Sequence, residues 1–194
     1  MRLDYLSYSE SFKIKDNTLN DIIIESSHMF FDLVEAIYYS VIDESDEVRL
    51  WYNGEQIKIT KEADVIISPY SLTFNKRDIQ KKMLDLLIDE LIYSGIDEAM
   101  TEINQRILGI VSDAISGFEY SMNYSNELSI QDIVKSIGIK PRNPEGSFTE
   151  RLIEYIETLH RILNKRIFFI INCKSYIDKE DYSFLEKFSS IENI

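Results

Sequence analysis

One cysteine, Cys173, leaves no partner for an intrachain disulfide and fits a chain kept in a reducing cytoplasm. The two histidines, His28 and His160, have no neighbouring His or Cys and no H-E-x-x-H frame, so zinc chemistry lacks a ligand set. Six glycines and three prolines argue against a disordered or loop-dominated chain. No Gly is followed directly by Lys, and no G-x-S-x-G occurs, which removes the phosphate loop and the hydrolase elbow. No apolar run approaches the roughly 20 residues of a membrane span. Met1–Glu10 lacks a charged leader followed by an apolar block, so no signal peptide is expected. Positive charge is also scarce, with 21 Lys and Arg against 34 Asp and Glu and a formal net charge of −13. That balance disfavours indiscriminate attraction to nucleic acid or anionic lipid, but it permits a local basic stripe.

Hydrophobic residues make up 44% of the 194, enough for a substantial core in one large domain or two small ones. The most continuously apolar stretch is Lys165–Cys173, with Ile167-Phe168-Phe169-Ile170-Ile171 at its centre. Five β-branched or aromatic residues without polar alternation predict a central strand covered on both faces, with Cys173 as an inert core thiol. Leu3–Tyr8, Ser11–Lys15 and Asn20–Glu25 read as short strands, the last centred on Ile22-Ile23-Ile24. Ser26-Ser27 then caps a helix to about Ser40. Asn53-Gly54 between Val48–Tyr52 and Gln56–Thr60 predicts a hairpin with a type I′ turn, and Asp64–Ser68 a further strand.

From Asn75 the period changes to helical. Ile96, Met100, Ile103, Ile107, Ile110, Ala114 and Phe118 form a stripe close to a coiled-coil seam, suited to an intramolecular core or to a docking partner. Ser129 with Asp132 opens a helix ending near Gly138, and Pro141 and Pro144 mark a linker. Ser147-Phe148-Thr149-Glu150 is a capping box for the helix that feeds Lys165–Cys173. The reading is an α/β fold: a discontinuous head of residues 1–73 and 146–194, with a helical leg, 74–145, inserted. An α/β order would return to the sheet after the Asp178–Phe188 helix, yet Ile194 is reached without another strand.

The first strand-to-helix junction, Ile24-Glu25-Ser26-Ser27-His28, is where a nucleotide-binding fold would cradle phosphate. It has neither glycine nor lysine. Asp43-Glu44-Ser45-Asp46-Glu47 lacks EF-hand spacing and reads as a solvated acidic turn. The basic residues are more informative. Lys76, Arg77, Lys81 and Lys82 crowd the first two turns of a helix, where cations oppose the macrodipole and only Asp78 offsets them. Lys135, Lys140 and Arg142 stand at the other boundary of the insert. Phosphate contact and scattered solubilising charge are the two readings open at this point.

Several blocks resemble the ring-forming CRISPR-associated accessory family of subtype II-A systems, which assists acquisition of new spacers. They are Ile22-Ile23-Ile24-Glu25 leading into Phe30-Phe31-Asp32-Leu33-Val34, Val65-Ile66-Ile67-Ser68 before Asn75-Lys76, Ile133-Val134-Lys135-Ser136-Ile137-Gly138-Ile139-Lys140, and Lys165–Ile177 with Lys179-Glu180-Asp181. The resemblance implies a degenerate ATPase-like head without nucleotide chemistry, an elongated helical leg and no enzymatic activity. It implies a homotetrameric ring with double-stranded DNA ends in a basic central hole. On that reading Lys76, Arg77, Lys81, Lys82, Lys135, Lys140 and Arg142 meet DNA. The partners implied are the spacer-integrase complex and the effector nuclease, in the cytoplasm and away from membrane. Calcium is the one cofactor implied, held by leg carboxylates before the Ser129–Gly138 helix, here Glu119 and Glu127. A protein–protein scaffold whose DNA contact is incidental is the alternative, and a cryptic nucleotide enzyme the weakest reading.

Overall fold

Period-2 alternation shapes the first sheet. In the strands Arg2–Tyr5 (β1) and Val48–Tyr52 (β3), Leu3, Tyr5, Val48 and Leu50 are buried, while Arg2, Asp4, Arg49 and Trp51 alternate with them. The computed structural model describes residues 1–43 and 45–192, so Glu44 of the acidic turn, Asn193 and Ile194 lie outside the described residues. β1 pairs antiparallel with Phe12–Lys13 (β2) and with β3, and β3 pairs with Glu55–Ile57 (β4), giving the order β2-β1-β3-β4. Asn53 and Gly54 both take positive φ, 50° and 86°, as the I′ turn requires. The strand expected through Thr60 stops at Ile57. Ile59–Glu62 instead forms one helical turn (α2), and the Lys165 ammonium donates to the carbonyls of Thr60 and Ala63.

Helix α1, Ser27–Ile42, starts where the Ser26 hydroxyl accepts from the Met29 N–H. Its buried stripe of Leu33, Ala36, Ile37 and Val41 joins Leu3 and Leu50 in one core cluster. The Leu, Ile and Val side chains among them each contribute about 1.5–3 kcal/mol of burial. Ser40, also buried, accepts from the Val48 N–H at 3.1 Å, which fixes the return into β3.

The second sheet is smaller than Lys165–Cys173 led us to expect. Ala63–Ile66 (β5) and Ile167–Ile170 (β6) pair in parallel as a sheet of two strands. β5 is buried throughout, but every β6 residue is only half-buried, so β6 is an edge strand rather than a central one. Cys173 falls beyond it, in a short 3-10 turn, Cys173–Ser175. The expected strand Asn20–Glu25 does not form. Its first residues are claimed by local side-chain bonds. The Asn20 amide bonds the Lys15 N–H and the carbonyls of Lys15 and Thr18, and Asp21 accepts from Lys174 and Tyr182.

Helix α6, Phe148–Leu163, carries the expected capping box and buries Leu152, Tyr155, Ile156 and Leu159 along one face. It packs with α7, Lys179–Glu192, whose Leu185 is buried. The Tyr155 hydroxyl donates to the buried Asp64 carboxylate at 2.9 Å, and the Tyr155 ring stacks on Phe74. Helices account for 53% and strands for 12% of the chain, a mixed α/β protein.

The chain divides into two compact units, residues 1–74 with 142–194, and residues 75–141. The second contains α3 (Arg77–Tyr93), α4 (Asp97–Ser116) and α5 (Ile130–Ile137), with α5 against α3. The expected seam splits along α4. Met100 and Ile103 are half-buried, but Ile107, Ile110 and Phe118 are exposed. Leu108, Val111 and Ile115 are half-buried in their place. A 3.6-residue helix drifts away from a strict 3.5-residue repeat, so the apolar stripe supplies two neighbouring faces.

Candidate nucleic-acid interface

Most basic residues of residues 75–141 lie on two helices, α3, whose start has no side-chain cap, and α5, whose start is capped. Lys76 is the N-cap residue of α3, and its carbonyl accepts the Gln80 N–H. Arg77 and Lys81 follow on one face, four residues apart, with Lys82 beside them, and all three side chains are exposed. α5 begins at Ser129, whose hydroxyl accepts the Asp132 N–H while Asp132 accepts in return. The hydrogen bond from Ser129 holds the Asp132 carboxyl below its ordinary range. Lys135 lies in the last turn of α5, and Gly138 ends it in the left-handed conformation at φ 71°, a conformation glycine adopts without strain. Lys140 follows, exposed. Among the described residues none of Arg77, Lys81, Lys82, Lys135 or Lys140 has an ion-pair partner, whereas Arg106 is paired with Glu102. Helices α3 and α5 therefore bring Lys76, Arg77, Lys81, Lys82 and Lys135 onto one packed helix pair. Arg142 belongs to the other unit and pairs with Glu145 at 3.3 Å.

Charge within residues 75–141 is segregated. Asn75 to Lys82 carries four cations and one carboxylate, Asp78. Asp85 to Glu127 carries one cation, Arg106, and nine carboxylates. Along α3 this puts Arg77 and Lys81 towards the positive end of the helix dipole and Asp89 and Glu90 towards the negative end. Arg77 and Glu90, which fall in the terminal turns, cost stability there, about 0.3–1 kcal/mol each when exposed. The start of α3 is thus a cationic, exposed end on an otherwise acidic helix.

Glu119 and Glu127 lie in the non-helical stretch between α4 and α5, both exposed. Asn104 of α4 ties the end of that stretch down, accepting the Leu128 N–H at 2.7 Å and donating to its carbonyl at 3.2 Å. Calcium takes six to eight oxygen ligands as a rule. The two carboxylates do not meet that need: Asp132 is spent on the cap, and no group of three or more His, Cys, Asp or Glu suited to a metal occurs among the described residues. The residues present do not fit the ion.

The first unit holds a cationic group that linear spacing did not point to. Strand register aligns Lys13, Arg2, Trp51 and Gln56 across four strands, and the Arg2 guanidinium lies 5.1 Å from the indole centroid. Its sequence signal was the alternation in β1 and β3, legible only once the pairing was known. At the phosphate-cradle position, the Ser26 hydroxyl is occupied by its cap and His28 pairs with Asp32 at 3.0 Å. Beyond β6, Cys173 has its thiol pushed up by burial. Neither place offers an activated nucleophile or a cradle of backbone N–H groups. No helix among the described residues is long and apolar enough to cross a membrane.

Residues 41–194, most of the chain and all of the helices that carry these cations, match the family model described as CRISPR-associated protein (Cas_Csn2).

Proposed function

The chain belongs to the CRISPR-associated Csn2 family, and we propose on that basis that it is a non-enzymatic double-stranded-DNA-binding protein of CRISPR adaptive immunity. In this reading it assists the acquisition of new spacers, and it holds duplex ends rather than internal sequence. The observation that carries the DNA-binding reading is the cationic start of α3, Lys76, Arg77, Lys81 and Lys82, with Lys135 on the packed helix α5. Arg77 in the first turn of α3 opposes the helix dipole, and Arg77, Lys81, Lys82 and Lys135 have no ion-pair partner among the described residues. Contacts of this kind read backbone charge, so binding is sequence-independent and falls steeply with salt.

Assembly resolves the conflict with the net charge of −13. Four copies in a ring would turn their basic starts, with Lys140 and Arg142, towards a central hole and their acidic surfaces outwards. In this arrangement residues 1–74 and 142–194 are a degenerate ATPase-like head, and residues 75–141 an elongated leg. The apolar face of α4 supports assembly, because Ile107 and Ile110 stand 42% and 71% exposed. The same face favours the second reading, a scaffold that docks the spacer-integrase complex and the effector nuclease while touching DNA incidentally.

Size-exclusion chromatography with light scattering, supplied separately with linear and circular duplex, tests both readings. A tetramer that retains linear duplex and loses circles of the same length is expected. A protein that captures its protein partners and neither form of DNA sinks the first reading and leaves the scaffold. Reversing Lys81, Lys82, Lys140 and Arg142 to Glu should weaken linear-duplex binding in a low-salt gel shift. Unchanged affinity removes those four residues.

A further inference from the structure

Strand β6 has two edges and one partner. The Ile171 N–H donates to the Ile66 carbonyl, and the register pairs Ile167 with Ala63 and Ile170 with Ile66. In a parallel ladder this turns the backbone groups of Ile167, Phe169 and Ile171 towards β5 and those of Phe168 and Ile170 towards the opposite edge. Among the described residues no strand pairs with that edge. A cleft of about 480 Å³ runs along it. All four β6 residues line the cleft although side chains of a strand alternate between faces, so the backbone edge itself forms one wall. Residues 14–22, with Tyr52 and Ile57, and the α7 residues Leu185 and Phe188 line much of the rest. Of the charges at the rim, Arg166 pairs with Glu62, Asp21 with Lys174 and the Met1 amino group with Asp16, while Lys15 also lines it. An occupant that satisfies the backbone edge and the apolar walls is extended and apolar.

Such a segment adjoins the cleft. Ile22 lines it and Ile23 stands 84% exposed beside it, in the run Ile22-Ile23-Ile24 whose β-branched residues predicted a strand. Tethering in the same chain gives this run an effective concentration that a separate peptide reaches only at millimolar levels. We propose that residues 21–25 are a strap that closes on the free edge of β6 as a third strand, and that the contacts of Asp21 with Lys174 and Tyr182 are the latch that holds it open. The latch is physically distinct. The hydrogen bond from Lys174 keeps the Asp21 carboxyl below its ordinary range, and burial together with Asp21 pushes the Tyr182 hydroxyl up to about 12.

Amide hydrogen exchange resolved by NMR at Phe168 and Ile170 tests the strap in three proteins: wild type, Asp21→Asn and Ile23→Asp. The wild type, with its latch engaged, is expected to protect both amides only about two- to threefold over free-chain rates. Asp21→Asn should raise that protection several-fold, and Ile23→Asp should abolish it. Leu3 and Leu50, buried in the first sheet, report the global fold, and Ile23→Ser replaces the aspartate variant should their protection fall. The proposal is overturned if both amides exchange at free-chain rates in all three proteins, or if their protection is equal in all three. It is also overturned if protection appears only on adding a synthetic peptide of the sequence Asn20–Ser26, an outcome that assigns the edge to a strand from a partner.

Discussion

Replacing Arg77 and Lys81 by Gln separates a binding role from a structural one, because the two roles predict opposite signs. Gln has helix propensity close to that of Arg and Lys, so the exposed start of α3 keeps its intrinsic preference. Arg77 occupies the first helical position, and removing a cation there relieves about 0.3–1 kcal/mol of unfavourable dipole interaction. Arg77 and Lys81 are also a like-charge pair at i,i+4, worth a further ~0.2–0.5 kcal/mol when relieved. The double variant should therefore be about 0.5–1.5 kcal/mol more stable than the parent in urea. Its DNA binding should move the other way. Each phosphate contact contributes about 0.9 to the slope of log K against log salt, or roughly 3.5-fold in affinity between 50 and 200 mM salt. Loss of two contacts per bound protomer should flatten the slope by about 1.8 for each protomer engaged. Fluorescence anisotropy with a linear duplex at four salt concentrations reads the slope, and a urea titration reads the stability. An unchanged slope at unchanged affinity refutes the assignment. A slope that flattens only because the protein has unfolded is exposed by a lowered urea midpoint.

Three further outcomes follow from the packing. Tyr155→Phe withdraws a hydrogen bond from the buried Asp64 carboxylate and should cost about 1–3 kcal/mol in urea unfolding, whereas an unchanged midpoint would mean that this bond carries nothing. Asn104→Ala removes both bonds to the Leu128 backbone and should speed exchange of the Leu128 amide at least tenfold; equal exchange in parent and variant would show the tie to be dispensable. Asp21, with its carboxyl held low by Lys174, contributes stability present above the ordinary aspartate range and lost as pH falls through the lowered folded value. Wild type and Asp21→Asn should thus differ in stability at pH 6 and converge towards pH 2, and a difference that persists undiminished at pH 2 would show that the carboxylate charge is not its source.

Local rules carried the helices and the hairpin. Ser129 with Asp132 and Ser147 with Glu150 close the capping boxes their spacing announced, and Asn53-Gly54 turns as its φ freedom requires. These signals are complete within a few residues, so the chain itself contains everything that decides them. Long-range pairing is different. The apolar run of β6 states that its faces are covered but not how many strands lie beside it, and among the described residues it has one neighbour. In α4, apolar residues at spacings of three and four are compatible with two adjacent faces, and only the packing decides that Leu108 and Ile115 rather than Ile107 and Ile110 are half-buried. The Lys13-Arg2-Trp51 row could not be read at all without the strand register.

The failed strand at Ile22-Ile23-Ile24 and the open edge of β6 are two sides of one discrepancy. Sequence pattern gives both stretches the composition of covered strands, and the structure leaves Ile23 exposed and, among the described residues, one edge of β6 without a strand in the same unit. Burying Ile22 and Ile23 would contribute up to about 1.5–3 kcal/mol each, against about 1–2 kcal/mol per residue for ordering the backbone. Over four or five residues the two ranges, roughly 3–6 against roughly 4–10 kcal/mol, overlap, so the Asp21 contacts with Lys174 and Tyr182 weigh in which arrangement is populated. A balance of that kind shifts with a single hydrogen bond, which is why the latch at Asp21, rather than the apolar run itself, is the place where a change of conditions would act on this fold.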